Sequence, residues 1–183
     1  MFVPRRLILP LLLALAVVGL GTVVSACGSS ESHHEVAEGE VLKLGELDYT
    51  VTFSRFLNPN DTEDAAYLVG QKEAQKASAY FGVWFEVQND TENNQNLPTE
   101  MTITDADGTE YKALESESIF AFPIGGQLEG EEQIPVLDSP AQQGPIEGSI
   151  VVFEVSDEAS ENRPLTLHFE SPEGEKGEVE LDL

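Results

Sequence analysis

Few side chains in this chain of 183 residues have reactive chemistry, and their spacing limits what each can do. Cys27 is the single thiol, preceded by Val24-Ser25-Ala26. His33 and His34 stand together between Glu31 and Glu35. Adjacent imidazoles catch zinc or copper loosely, but a defined site needs three or four converging ligands, so this stretch reads as a solvated linker. His168 lies between Leu167 and Phe169, where alternation turns it to the polar side. Nucleophilic hydrolysis needs a hydroxyl or thiol beside a base, and the spacing fixes no such pair. Two carboxylates can cleave glycosides, yet among 34 acidic residues no pair stands apart. Phosphate-binding loops and dinucleotide fingerprints are missing. A copper-handling chain would carry several methionines, and after Met1 there is only Met101, in a strand pattern. The expectation is a non-catalytic protein with no cofactor.

Two further groups of residues bear on binding. Asp105-Ala106-Asp107-Gly108-Thr109-Glu110 begins like a calcium loop, and Asp105, Asp107 and Glu110 are its metal candidates. An EF-hand loop needs glycine at position six and a bidentate acid at position twelve. Here those positions hold Glu110 and Ser116, so the segment reads better as a β-hairpin turning at Asp107-Gly108. Asp61, Glu63 and Asp64 are a second carboxylate cluster. Among aromatics, Tyr80 and Trp84 alternate with Phe81 and Phe85, and Phe120 and Phe122 flank Ala121. If one strand face is core, Tyr80, Trp84, Phe120 and Phe122 form a candidate binding surface, since exposed aromatics favour protein or sugar contacts. The competing reading covers both faces, with Trp84 packed beneath 58–79 or 116–126.

The elements that position these residues read as strands. Val41-Leu42-Lys43-Leu44 is short, and Gly45-Glu46 offers a turn. Leu47, Tyr49, Val51 and Phe53 then share one side, as do Phe81, Val83, Phe85 and Val87. Further runs lie at Met101–Ile103, at Tyr111–Ala113 and at Ile150–Val155, followed by Leu165–Phe169 and Val179–Leu183. Asn, Asp, Gly and Pro clusters bound each run, as expected for short antiparallel strands. The pattern predicts an all-β, antiparallel two-sheet sandwich of about eight strands over 41–183. Residues 58–79 favour a short helix or a long loop, with Ala65–Val69 as an alternative edge strand. Residues 116–145 are long and irregular, and loops of such length are often functional.

The first 26 residues have a different character. Arg5 and Arg6 precede an apolar run from Leu7 to Val24, which exits through small residues. These are the parts of a secretory signal. Val24-Ser25-Ala26-Cys27 resembles the lipobox of bacterial lipoproteins. That resemblance implies cleavage between Ala26 and Cys27 and diacylglycerol on the Cys27 sulfur. It also implies a location on the extracytoplasmic face of the cell membrane. An ordinary signal peptide or an uncleaved anchor is the alternative. A lone reactive thiol in an exported protein argues against the former. Arg5-Arg6 leaves general-secretory and twin-arginine export open. Residues 27–40 then read as a lipidated flexible tether, polar and without period, spanning roughly 20 Å as a coil.

The order of motifs in the domain also resembles a family. Val87-Gln88-Asn89 precedes Asp105-Ala106-Asp107-Gly108-Thr109-Glu110-Tyr111, and Val151-Val152-Phe153-Glu154-Val155 follows. This is similar to the immunoglobulin-like DUF4352 domain of secreted and lipid-anchored proteins in Gram-positive bacteria, particularly actinobacteria. The resemblance implies an extracellular, non-catalytic adhesive or accessory domain.

The formal charge of −25 becomes two units more negative once Arg5 and Arg6 leave. Such a surface repels nucleic acid. The expected partners are the membrane, through lipid, and a protein or cell-envelope component. A lipoprotein binding a small ligand or calcium for a transporter is the alternative, and an envelope hydrolase is the third. Asn60-Asp61-Thr62 and Asn89-Asp90-Thr91 fit a glycosylation pattern but read as turns.

Overall fold

The computed structural model describes residues 33–181 of the chain. The expected signal peptide 1–26, its expected cleavage point between Ala26 and Cys27, the expected lipid attachment at Cys27 and residues 28–32 lie outside the described residues. Along the chain come β1 (His33–Ala37), β2 (Val41–Leu44), β3 (Leu47–Leu57), α1 (Thr62–Tyr67) and β4 (Ser78–Asn89). Next are β5 (Gln95–Asn96), β6 (Met101–Thr104), β7 (Glu110–Lys112), β8 (Gln127–Leu128), β9 (Gln133–Ile134) and α2 (Pro140–Gln143). The chain closes with β10 (Ser149–Ser156), a 3-10 turn at Asp157–Ser160, β11 (Leu165–Glu170) and β12 (Lys176–Leu181).

These strands form an immunoglobulin-like β-sandwich. One sheet has the order β1-β12-β11-β6-β7. The other runs β10-β4-β3-β2, with β9 added to β4 beyond the end of β10. Pairing is antiparallel except for β1 on β12. Inward residues of both sheets make one core, among them Phe81, Val83, Phe85, Ile103, Phe153, Leu167 and Val179. The eight predicted strands are all present, with β1, β5, β8 and β9 in addition.

One of those additions corrects a boundary. Residues 33–40 were expected in the tether, but β1 pairs with β12 in the register His33↔Lys176 to Ala37↔Glu180. The Gly39 N–H also donates to the Val51 carbonyl at 2.8 Å. Residues 33–40 therefore belong to the folded domain rather than to the tether. The strand escaped notice because it is an edge: of its residues, Val36 packs on the core. Backbone ladder bonds leave no hydrophobic pattern to read.

β3 holds a second departure. The register shifts between Val51 and Phe53, a β-bulge at Thr52. A bulge inserts one residue and so reverses which face each later side chain meets. Leu47, Tyr49 and Val51 point into the core as expected, while Phe53 is 41% exposed on the outer face. Phe56 turns inward instead, its ring 5.1 Å from Phe81.

The outer face of the second sheet carries its own apolar cluster of Leu57, Tyr67, Leu68, Tyr80, Trp84, Ile150 and Val152. Gly82 permits it, because a Cβ there would lie 3.0 Å from the Trp84 ring and 2.8 Å from Ile150. α1 covers the cluster, so the helix reading of 58–79 holds and Ala65–Val69 is no strand. Asp61 caps α1, accepting from the Glu63 and Asp64 N–H groups. Arg55 fastens the helix to the sheet. Its guanidinium donates to both oxygens of buried Asp64, at 2.9 and 2.5 Å, and lies 5.5 Å from the Trp84 ring centroid. The Asn58 N–H donates to the same carboxylate at 2.7 Å. The Arg55 bonds hold the Asp64 carboxyl below its ordinary 3.8, against burial, which opposes ionisation.

Arg55→Met strands a buried carboxylate and is expected to cost about 3 kcal/mol in urea unfolding. Because the folded pKa is lowered, the Asp64 contribution is complete above the ordinary carboxylate range and drains away as pH falls through the lowered value. The stability gap between the native chain and Asp64→Asn should therefore narrow as unfolding is measured at pH below about 4.

Candidate functional site

The site begins with a crossing. The chain leaving β7 keeps its bond to β6 through Ala113, whose N–H donates to the Met101 carbonyl at 2.9 Å. One residue later it has changed sheets: the Leu114 N–H donates to the Val152 carbonyl of β10 at 2.8 Å. It returns to β10 at Ala121, with the Phe122 N–H on the Ile150 carbonyl and the Ile150 N–H on the Phe120 carbonyl, both 2.8 Å. Between departure and return a wedge-shaped cleft of about 580 Å³ opens at the seam of the sandwich. Its floor is Ile150, Val151, Phe122 and Met101, all buried. Thr99 and Glu100 form one wall, Leu114–Ser116 a second and Pro123–Ile124 a third. Lys112 at the mouth is hydrogen-bonded to Glu100, and Glu115 is exposed beside them. A pocket of a few hundred Å³ with an apolar floor and polar groups along its walls suits a small ligand or an anchoring side chain.

The aromatic surface expected at Tyr80, Trp84, Phe120 and Phe122 is corrected by burial. Tyr80 is 3%, Trp84 0% and Phe122 5% exposed, and Phe120 is half-buried against the Tyr67 ring at 5.1 Å. Both faces of β4 are covered, by the sandwich core on one side and by α1 with 114–120 on the other. Phe122 survives in a different role, as part of the cleft floor.

The acidic candidates are occupied by structural bonds. The Asp105 carboxylate accepts from the N–H groups of Asp107 and Thr109 at 3.0 and 2.9 Å, and from the Tyr111 hydroxyl at 3.1 Å. Burial works to raise its pKa, but these accepted bonds prevail and hold it low. Asp107 accepts from the Asn162 amide at 2.8 Å, and Glu110 lies exposed on β7. The three are a hairpin and its brace. Of the other cluster, Asp61 caps α1, Asp64 binds Arg55 and Glu63 lies 3.7 Å from Arg55. Among the described residues no three His, Cys, Asp or Glu converge on a metal position.

His168 takes a place the spacing did not reveal. Its Nε2 lies 2.7 Å from Thr104 Oγ1 on β6, and its Nδ1 lies 3.0 Å from Glu178 Oε1 on β12. Hydroxyl, imidazole and carboxylate stand in the order of a nucleophilic relay. An oxyanion also needs aligned donors, and on this sheet face the neighbouring backbone N–H groups are committed to the ladder. The row ties three strands together. His34 is exposed on β1.

On the opposite sheet, Glu86 and Glu147 line a hollow of about 280 Å³ with Asp48, Thr50 and Pro135. Burial pushes the Glu86 carboxyl up, and the Glu147 charge adds to the shift. Alternation assigned Glu86 to the polar face but said nothing of Glu147, which comes from a loop 61 residues later.

Solved structures share this architecture. The yjhA protein of Bacillus subtilis superposes with a TM-score of 0.55 at 13% identity, over 80% of this chain and 99% of that one. MPT63, a secreted protein of Mycobacterium tuberculosis, gives 0.52 at 12%, over 82% and 99%. A β-sandwich protein of Clostridium difficile 630 gives 0.50 at 15%, over 83% and 96%. At these identities the likeness is one of fold. No protein-family model and no curated protein matches the sequence.

Replacing Asp105 by Ala removes three accepted bonds from the hairpin and is expected to lower stability by about 2 kcal/mol. Millimolar calcium should leave the melting temperature of the native chain unchanged, since ligands that bind the folded state raise it. A rise that disappears in the Asp105→Ala variant would instead make this turn a metal site.

Proposed function

We propose that this chain is a lipid-anchored, extracytoplasmic, non-catalytic module of the cell envelope, of the DUF4352 kind, working through contacts with another molecule. The observation that carries the address is Cys27: the single thiol of the chain, behind a charged start, an apolar run and Val24-Ser25-Ala26. Lipidation gives that thiol a use, and two or three acyl chains at about 0.8 kcal/mol per buried methylene anchor a protein stably. Among the described residues no helix is long and apolar enough to cross a membrane. The acidic surface adds repulsion from anionic headgroups, which leaves lipid as the membrane contact.

The contact role is supported by the seam cleft, whose floor is formed by core residues. The polar groups at its mouth suit binding better than catalysis, because Lys112 and Glu100 neutralise one another rather than facing a reacting centre.

Cell fractionation of the native chain and Cys27→Ala tests the address. A peptide beginning at Cys27 with a lipid-sized added mass, found with the membranes, is the expected result, together with release of the variant into the medium. An unmodified Cys27 or an intact segment ahead of it would refute lipid anchoring.

A further inference from the structure

The seam cleft leaves a vacancy in the first sheet. In an antiparallel pair, residues that exchange backbone bonds alternate with residues whose groups face away. The hairpin bonds run Asp105 to Thr109 and Met101 to Ala113. Continued two residues further, the same register would pair Thr99 with Glu115. The chain does not continue it, because Leu114 has already moved to β10. Thr99 and Glu100 are thereby left at the wall of the cleft as a two-residue gap, between Met101, which bonds Ala113, and Leu97 and Pro98, which bond Gly126 and Gly125.

We infer that this vacancy is a docking site for an extended peptide segment that has a large apolar side chain flanked by basic residues. The inference rests on the reading of the chain as an interaction module and gives its partner a chemistry. An added segment would gain backbone bonds from the exposed edge, and its alternate side chains would enter pockets, as in strand addition generally. The apolar anchor would rest on Met101, Phe122 and Val151, buried core residues that form the floor of the cleft. Anchors of this kind, enclosed by a polar rim, supply most of the binding energy in peptide complexes.

The charge of the partner follows from the rim. Glu100 and Glu115 stand at the mouth, and Glu110 lies on the adjoining edge strand. Among the described residues that line the cleft, Lys112 is the one cation, and it already belongs to Glu100. The whole chain carries 34 acidic against nine basic residues, so its long-range field favours a basic partner and repels an acidic one.

The test uses the full chain in detergent micelles, with amide chemical shifts followed during titration. The probe is the end-blocked pentapeptide lysine-valine-phenylalanine-valine-lysine. Two controls put glutamate at both ends or alanine at the centre. Shifts are expected at Thr99, Glu100 and 113–116, and each control should bind at least about tenfold more weakly. Ala121→Leu, which fills the cleft, should weaken the basic probe by about the same factor at an unchanged melting temperature. Glu115→Lys changes an exposed side chain and puts no fold at risk. It should narrow the preference for the basic probe over the acidic one.

Absence of shifts at millimolar probe would overturn the assignment. Equal binding of the acidic control would overturn it too, as would shifts confined to a different face. None of these results touches lipid anchoring, which the Cys27→Ala fractionation reads separately.

Discussion

β4 cannot expose either of its faces. Phe81, Val83, Phe85 and Val87 belong to the space between the sheets, while Tyr80 and Trp84 on the reverse side are as thoroughly buried. A two-layer sandwich covers one face of each sheet, so this strand demands a third layer. Much of the unusual chain path answers that demand. Between β3 and β4 the chain forms α1, laid over Trp84 and Tyr80, and the segment after β7 leaves its own sheet to close the cluster from the other side. Fully burying an aromatic side chain contributes roughly 1.5–3 kcal/mol. That is enough to justify the long detours that cover Trp84, Tyr67 and Tyr80.

The detour after β7 produces the cleft. A chain that crosses from one sheet to the other at Ala113–Leu114 must abandon β6, and the wedge left behind exposes the edge of the main core. The bulge at Thr52 belongs to the same adjustment. It turns Phe53 and Arg55 outward, where Arg55 reaches Asp64 and Trp84 together. A polar clamp thus holds an apolar lid, and the bidentate geometry of arginine suits it to both tasks.

Electrostatics sets the conditions for all of this. With so few cations, those near carboxylates are committed: Arg55 to Asp64, Lys43 to Asp48 and Lys112 to Glu100. The exposed pairs contribute little, whereas the Arg55–Asp64 pair is substantially buried and decides whether α1 stays in place. Other carboxylates serve as hydrogen-bond acceptors that hold turns and caps, as at Asp61 and Asp105.

Period-two alternation was enough to read the class of fold, the eight main strands, the core side of β4 and the Asp107-Gly108 hairpin. These are local properties, since a strand's in–out pattern and a turn's φ requirement depend on residues a few positions apart. The charge balance and the Cys27 context are equally local. Three features were decided by tertiary structure. β1 is held by backbone bonds that any sequence can make, so its polar residues gave no sign of it. The phase of β3 reverses at a bulge, which leaves no mark in composition. The cleft arises because Thr99, Leu114, Phe122 and Val151, scattered over more than fifty residues, meet where a strand changes sheets. Alternation shows that a side chain is to be buried, but the layer that buries it is set by long-range packing. For that reason the sequence left Trp84 between a surface reading and a covered one, and the third layer decided for the covered one.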